Sequence, residues 1–567
     1  SLNIKDDDFL NGLLKFKAGD YQDNPDWNID AGQAVSNHGV IETDELGSVF
    51  LLAPTVENSG VIITPVGQIG LAAGTEVEIS HGVGGQNVEL KDTGEHGFAV
   101  NLENGWLIAD TGLAGMYGRV VNQNGLIRSV TAVKKQGKIE LLASEKVFTG
   151  ANSMTITPVS SSSETAHQSF SVASGAITIA GLDSSTPVER IEHSGIISAP
   201  SGQVPMKAEK RVCLEKGSVS DVSGMWVDKS GEANLVEAQL NSVQLRDDYG
   251  QKGGLLQGET ISANALTGSA IGDISGHLTS EEMTVMERST EGGTIDISAS
   301  SGDIIIKEGA MIDFSGGGIH YGEGYLETTR LLAGNSIYNI SEAPQWIQYD
   351  KILGYQEKRH ERYGITEEYA GLYYGGANPL KDYSSGYTKG SNAGSLRLIA
   401  RNVVLDGHID GSVEQGLFQT LFQEPEDENG NQTATGYVEP KGGTLSIGST
   451  PSNENYYVTN DSRIEEIVVR EEVDSLPVTF GPEDDIPGSY FKEVENESYL
   501  KKLEYPGGEP VYKTKLSAKK LSNAGLSVLK LNALTRVTID DGATLSLRPS
   551  GLLLENESNL TVTARNI

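Results

Sequence analysis

Strand-length runs of alternating apolar and polar residues recur along most of this chain. Ser48-Val49-Phe50-Leu51-Leu52 and Lys138-Ile139-Glu140-Leu141-Leu142 are two of them. Period-two alternation puts every second side chain on one face, the pattern of a β-strand with one buried side. The runs sit inside a phrase that returns. Asn37-His38-Gly39-Val40-Ile41 leads to Gly47-Ser48-Val49-Phe50-Leu51-Leu52-Ala53, and Asn58-Ser59-Gly60-Val61-Ile62 leads to Gly67-Gln68-Ile69-Gly70-Leu71-Ala72-Ala73. Further copies run from Asn124-Gly125-Leu126-Ile127 to Gly137-Lys138-Ile139-Glu140-Leu141-Leu142-Ala143, and from Ser194-Gly195-Ile196-Ile197 to Gly202-Gln203-Val204.

Gly60 follows Gly39 by 21 residues. A repeat of about 20–25 residues, built of short strands ended by glycine, is the mark of a solenoid. One unit cannot bury its inner face; units stacked about 4.8 Å apart bury it against each other. The predicted fold is all-β, a right-handed parallel β-helix with extra-helical insertions. Glycine and asparagine are expected to supply positive-φ corners between strands. A β-sandwich also spaces its strands about 8–12 residues apart, but it has no reason to reuse the same words.

The phrase divides the chain. Residues 1–205 carry the clear repeats, with an excursion expected over 80–120 around Gly105-Trp106-Leu107-Ile108 and a polar loop at Ser160-Ser161-Ser162-Ser163. Residues 206–290 lose the phrase and read as an insertion or irregular coils, with mildly helical text at Leu235-Val236-Glu237-Ala238-Gln239-Leu240. Coils return over 291–318, and 319–390 is a second insertion holding 11 of the 21 tyrosines. Coils follow over 391–449, an acidic, Pro-containing loop over 450–520, and coils again over 521–567.

Composition narrows the function. Lys+Arg 43 against Asp+Glu 78 leaves a net charge of −35, which repels nucleic acid and anionic membrane. The lone Cys213 excludes an intrachain disulfide and a thiolate metal cluster. No run has the length and apolarity of a membrane span. The chain opens at Ser1 without a methionine or signal peptide and stops inside a strand-like run ending at Ile567, so a segment or processed form of a longer protein is expected.

The words also resemble a known family. Leu2-Asn3-Ile4-Lys5-Asp6-Asp7-Asp8-Phe9-Leu10-Asn11-Gly12, Val49-Phe50-Leu51-Leu52-Ala53-Pro54-Thr55-Val56-Glu57-Asn58-Ser59-Gly60 and the tract from Ser315-Gly316-Gly317-Gly318 to Ser391-Asn392-Ala393-Gly394-Ser395-Leu396 are similar to stretches of the filamentous-haemagglutinin-like exoproteins of bacterial two-partner secretion. The resemblance covers most of 1–150 and 290–410. It implies a stiff β-helical rod, secreted or held at the bacterial cell surface, and exported through an outer-membrane β-barrel transporter. A host or bacterial surface receptor or glycan would be its ligand, and self-association into fibres is a further possibility. Asn24-Pro25-Asp26 and Asn378-Pro379-Leu380 do not match the position of the family's asparagine-proline secretion motif, which leaves the transporter-recognition part unassigned.

The best binding candidates are the aromatics of the second insertion, Trp346, Tyr355, Tyr363, Tyr369, Tyr373 and Tyr374, because tyrosine and tryptophan give large contact area at low entropic cost. The alternative is that they fill the insertion's own core. Catalysis is not expected, and neither a cofactor nor a metal site is assigned. A carbohydrate-active β-helix would need carboxylates side by side on one sheet, and the neighbours Asp484-Asp485 and Asp540-Asp541 face opposite ways on a strand. Asp6-Asp7-Asp8 reads as a turn or helix cap rather than a cation loop. The nine histidines are scattered, with His360 in the solvated run Lys358-Arg359-His360-Glu361-Arg362, and Gly316-Gly317-Gly318 lacks the context of a phosphate cradle.

Overall fold

The computed structural model describes residues 2–18, 34–82, 85–167, 174–183, 186–241, 245, 251, 253–272, 274, 282–353, 355–360, 365–370, 381–419, 438–449, 464–487, 513–548 and 559–563. The protein is all-β with long parallel sheets, and its few helices, such as Asp6–Leu10 and Ala518–Ser522, are short. Among the described residues, a 17-stranded sheet and a 9-stranded sheet carry the chain. It visits them in turn. Ala34–Asn37 lies in the first, Val40–Glu42 in the second and Ser48–Ala53 in the first again. The next circuit, Thr55–Asn58, Val61–Ile63 and Gln68–Ala73, pairs in parallel register with those three.

Register keeps like residues in columns. Leu51, Leu71, Met116, Leu141, Ile179, Met206, Ile297, Leu398, Ile447 and Leu531 are successive partners. In the second sheet the column is Ile41, Ile62, Leu107, Ile127, Thr155, Ile197, Ser220, Ile312 and Ile409. Except for Ile41 and Leu51 at the leading end, these side chains are buried, and the apolar ones belong to one continuous core that runs from Ala53 to Val537. Each fully buried Leu or Ile contributes about 1.5–3 kcal/mol, so the alternation read from sequence is also the main source of stability.

In the later coils glycine supplies positive-φ corners as expected, at Gly309, Gly525 and Gly542. In the earlier circuits the glycines and asparagines of the phrase do different work, and positive φ falls on Leu46, Val66, Thr111 and Ser201, each just before a glycine. The glycines serve close approach. A Cβ on Gly67 would lie 1.8 Å from the Gly47 carbonyl oxygen, one on Gly112 2.0 Å from that of Gly67, and one on Gly394 1.8 Å from that of Gly293. The asparagines form a buried ladder. Asn37 Nδ2 donates to Asn58 Oδ1, Asn58 Nδ2 to Asn101 Oδ1, and Asn101 Nδ2 to Gln123 Oε1, each at 2.8 Å. Thr149 and His193 hold the next two positions in register, with Thr149 Oγ1 2.7 Å from His193 Nδ1. Leu214, Ile306 and Leu405 then continue the column without polar groups.

Boundaries also shift. Trp106–Ile108 belongs to the second sheet, and the excursion is the antiparallel pair Glu76–Gly82 and Gly85–Asp92, which with Asn3–Ile4 and Leu14–Lys17 forms a four-stranded sheet. That sheet packs over Leu52, Ala72, Tyr117 and Leu142 on the outside of the long one. Gln203–Leu214 and Val219–Asp221 are full members of the two sheets; they keep the inward alternation of Val204, Met206 and Ala208 after the glycine wording has gone. Leu235–Gln239 is a strand, not a helix, because Val236 and Ala238 are buried while Glu237 and Gln239 are exposed. Inside the presumed acidic loop, Glu466–Arg470 and Lys513–Ser517 pair in parallel, and Ile467, Val469 and Leu516 enter the main core. The flanking glutamates hide this short buried strand from a reading by charge.

Candidate binding surface

The two insertions expected as separate units share one core. Buried Ala238, Leu240, Leu256, Ile261 and Ile271 from the first pack with Leu331, Ile340, Ala343 and Tyr349 from the second. Hydrogen bonds join them: Thr329 N donates to Ser262 O and Ser262 N to Thr329 Oγ1, both at 2.8 Å, and Ala270 N donates to Ile340 O at 3.1 Å. This side module is tied to the circuits by a three-stranded sheet, in which Trp226–Lys229 runs parallel to Gly318–Tyr321 and Tyr387–Gly390 runs antiparallel to it.

The tyrosines divide between interior and surface. Tyr349 is buried in the shared core, edge-on to Tyr338, and its hydroxyl donates to Pro344 O at 2.7 Å. Tyr321 and Tyr387 are cross-strand partners, stacked at 4.6 Å and half-buried. Four residues away along the chain, on the separate antiparallel pair Gly324–Leu326 and Asp382–Ser384, Tyr325 and Tyr383 are again partners, at 5.4 Å and tilted, but 63% and 56% exposed. The Tyr383 hydroxyl donates to the Glu323 carboxylate, which raises the phenol's pKa. Trp226 lies over Gly318, where a Cβ would meet the indole at 2.7 Å, and stacks on His320 at 4.4 Å. Asp382 anchors this edge by accepting from Arg330, Thr328 and Asn339.

Of the residues singled out from sequence, Trp346 is 83% exposed at the rim of the module. Tyr355 and Tyr369 fall on the antiparallel pair Tyr355–His360 and Ile365–Ala370, opposite Ala370 and Gln356. Tyr363, Tyr373 and Tyr374 lie outside the described residues. The exposed aromatics Trp226, Tyr325 and Tyr383 were not among the candidates. A signal for two of them exists, since Tyr321 and Tyr325 have the same spacing as Tyr383 and Tyr387, as an antiparallel ribbon with paired tyrosines requires.

Neither a scan against protein-family models nor a search of curated proteins finds a match for this chain. Its chemistry therefore rests on the groups themselves. The sheets stack Asp221, Asp313 and Asp410 in one column. Each accepts from the serine two residues on, Asp221 and Asp313 from both the backbone N–H and the hydroxyl, Asp410 from the N–H. Burial, then the neighbouring Asp410 and Asp221, raises the pKa of Asp313. These are corner turns. Asp540 is paired with Arg470 at 2.8 Å, and Asp484 accepts from Gly481 N at 2.7 Å. Asp6, Asp7 and Asp8 form the first turn of the short helix Asp6–Leu10, where negative charge is favoured. Among the described residues, no group of three or more His, Cys, Asp and Glu side chains is placed to hold a metal ion, and no helix is long and apolar enough to cross a membrane.

Proposed function

We propose that this chain is a stretch of right-handed parallel β-helix from a large exported surface protein of the filamentous-haemagglutinin-like kind, acting as a stiff rod that displays the side module for adhesion. The observation that carries this reading is the separation of roles. One uninterrupted core runs along stacked circuits, while a second core supports exposed aromatics on a module that stands on the circuits. In-register parallel columns resist bending because each circuit is hydrogen-bonded to both neighbours. A rod of this kind places a binding surface at a distance from its attachment. On this reading an outer-membrane β-barrel transporter exports the protein, and the ligand is a surface receptor or glycan.

The test is glycan-array and cell-surface binding of the intact chain beside a variant in which 231–281 and 322–386 are both replaced by short Gly-Ser linkers. Both must go together, because removal of either exposes the other's half of the shared core. Binding lost in the variant and retained in Trp346→Ala alone assigns recognition to the wider module. Specific binding that is equal in both proteins refutes the assignment. Rods of uniform width by electron microscopy, with a 4.8 Å axial repeat, are expected of the β-helix. Release of oligosaccharides from any bound glycan would instead favour a carbohydrate-active enzyme.

A further inference from the structure

We propose that residues 474–486 are a detachable strap seated in a groove on the outer face of the long sheet, and that this groove is a docking site for an extended segment with an aromatic anchor, filled here by the chain's own. After the strand Glu466–Arg470 the chain turns back across earlier circuits. Leu476 N donates to Asp406 Oδ2 at 2.7 Å and Lys307 Nζ to Phe480 O at 2.6 Å. Arg211 donates to Pro482 O and Asp484 O at 2.8 and 2.7 Å, and Arg190 pairs with Glu483. The strap thus meets the circuits of Asp406, Lys307, Arg211 and Arg190 in reverse order.

The floor of the groove is apolar and its walls carry ion pairs, Arg211 with Asp303 and Lys307 with Glu215, each at 2.6 Å. Cys213, Ile305 and Val404 are partners on three neighbouring strands and point away from the main core. Leu476, Phe480 and Ile486 bury them. The Phe480 ring lies 6.0 Å from the Arg211 guanidinium and 5.8 Å from the Lys307 ammonium, a placement that adds cation–π attraction. Arg190, Arg211 and Lys307 rise from successive circuits: Arg190 pairs with Glu483, whereas Arg211 and Lys307 are paired with Asp303 and Glu215 of the circuits and reach the strap through its carbonyl oxygens. Among the described residues no strand pairing joins 471–487 to the sheet. The seat is made by side chains and single hydrogen bonds, so the strap can leave without opening the sheet ladder, the mark of a locally opening unit.

Cys213 reports the state of the groove. It is the chain's one cysteine, it is buried, and burial pushes its thiol well above the ordinary range. The experiment follows its modification by dithiobis(nitrobenzoate) in the intact chain, in Phe480→Ala, and in a full-length variant with 473–487 replaced by a Gly-Ser linker of equal length. Circular dichroism establishes that each is folded. The intact chain should react slowly. Phe480→Ala should react at least about tenfold faster, as removal of a buried aromatic anchor demands, and the linker variant faster still. A free peptide of sequence 473–487 should restore protection to the linker variant saturably, and the same peptide with Phe480→Ala should not. Equal rates in the intact chain and Phe480→Ala overturn the strap, whether or not the linker variant folds. A folded linker variant that the peptide fails to protect at millimolar concentration overturns the docking site.

Discussion

His193 gives the sharpest quantitative expectation. It ends the polar ladder inside the core, fully buried, with Nδ1 2.7 Å from Thr149 Oγ1 and Nε2 3.1 Å from Val219 O. The carbonyl can only accept, so the proton sits on Nε2, and Nδ1 accepts the hydrogen bond that the Thr149 hydroxyl donates. Burial lowers the pKa from 6.5 to about 4, and the bond to Val219 offsets only part of that. In the unfolded chain this imidazole takes up a proton near pH 6.5; in the folded chain it declines the proton down to about 4. Its contribution to stability is therefore complete above pH 6.5 and is lost as pH falls towards 4. At about 1.4 kcal/mol per pH unit the loss reaches about 3 kcal/mol. His193→Gln keeps an amide N–H for Val219 O, as Gln123 does for Met154 O on the circuit after its own, and removes the titration. Urea denaturation followed by circular dichroism, run on both proteins from pH 7.5 to pH 4, isolates the term because every other titrating group is common to the two. The native chain should lose about 3 kcal/mol more than the variant across that range. Parallel pH dependences would refute the reasoning.

Other expectations follow from the corners and the aspartate column. Gly67→Ala forces a Cβ against the Gly47 carbonyl at 1.8 Å and should break the Gln68 N to Gly47 O bond, destabilising by about 2–4 kcal/mol in the same denaturation assay. Val66→Asn should stabilise by about 1 kcal/mol, since a β-branched residue at φ 57° is strained where asparagine is tolerated; an unchanged midpoint would count against strain there. Asp313→Asn retains the acceptor for Ser315 and removes a buried charge between Asp221 and Asp410. It should stabilise by about 0.5 kcal/mol at pH 7, with the gain shrinking as acidification protonates the native Asp313, whose pKa is already raised.

Most of the fold was legible because its signal is local and repeated. The alternation in Lys138-Ile139-Glu140-Leu141-Leu142 states which residues face inward, and copies of it stack. What was not legible depends on contacts between distant parts. That residues 231–274 and 324–353 share a core cannot be read from either segment, since each taken singly shows only half of an apolar surface. Glu465 and Glu466 are buried beside Thr535 and Lys513, and their charges disguise a core strand. The glycines serve two ends. Sequence marks glycine as conformationally free, which holds at Gly309, Gly525 and Gly542, whereas at Gly67, Gly112 and Gly202 the residue before carries the unusual φ and the glycine makes room for a neighbouring carbonyl. The exposed aromatics were missed because the density of tyrosines drew attention to 355–374, while exposure depends on which cross-strand pair lies beyond the half-buried one.

The two halves of the chain hold their register by different means. From Asn37 to His193 the ladder ties each circuit to the next through buried polar groups, and a shift of one residue would leave those groups unpaired, at about 1–3 kcal/mol each. Beyond His193 the same column is Leu214, Ile306 and Leu405. Apolar side chains tolerate a slip that amides do not. In this half a buried pair, Thr514 Oγ1 donating to Asn402 Oδ1 at 3.0 Å, replaces the ladder, and the circuits are also cross-braced from outside. The sheet of Trp226–Lys229, Gly318–Tyr321 and Tyr387–Gly390 ties adjacent circuits together, and the 474–486 segment spans those of Arg190, Arg211, Lys307 and Asp406. The two largest excursions lie where the internal ladder has ended, while the smaller one over 76–92 sits within it. Substitution of a ladder amide should destabilise the first half at fixed register, whereas excision of the external braces should loosen register in the second.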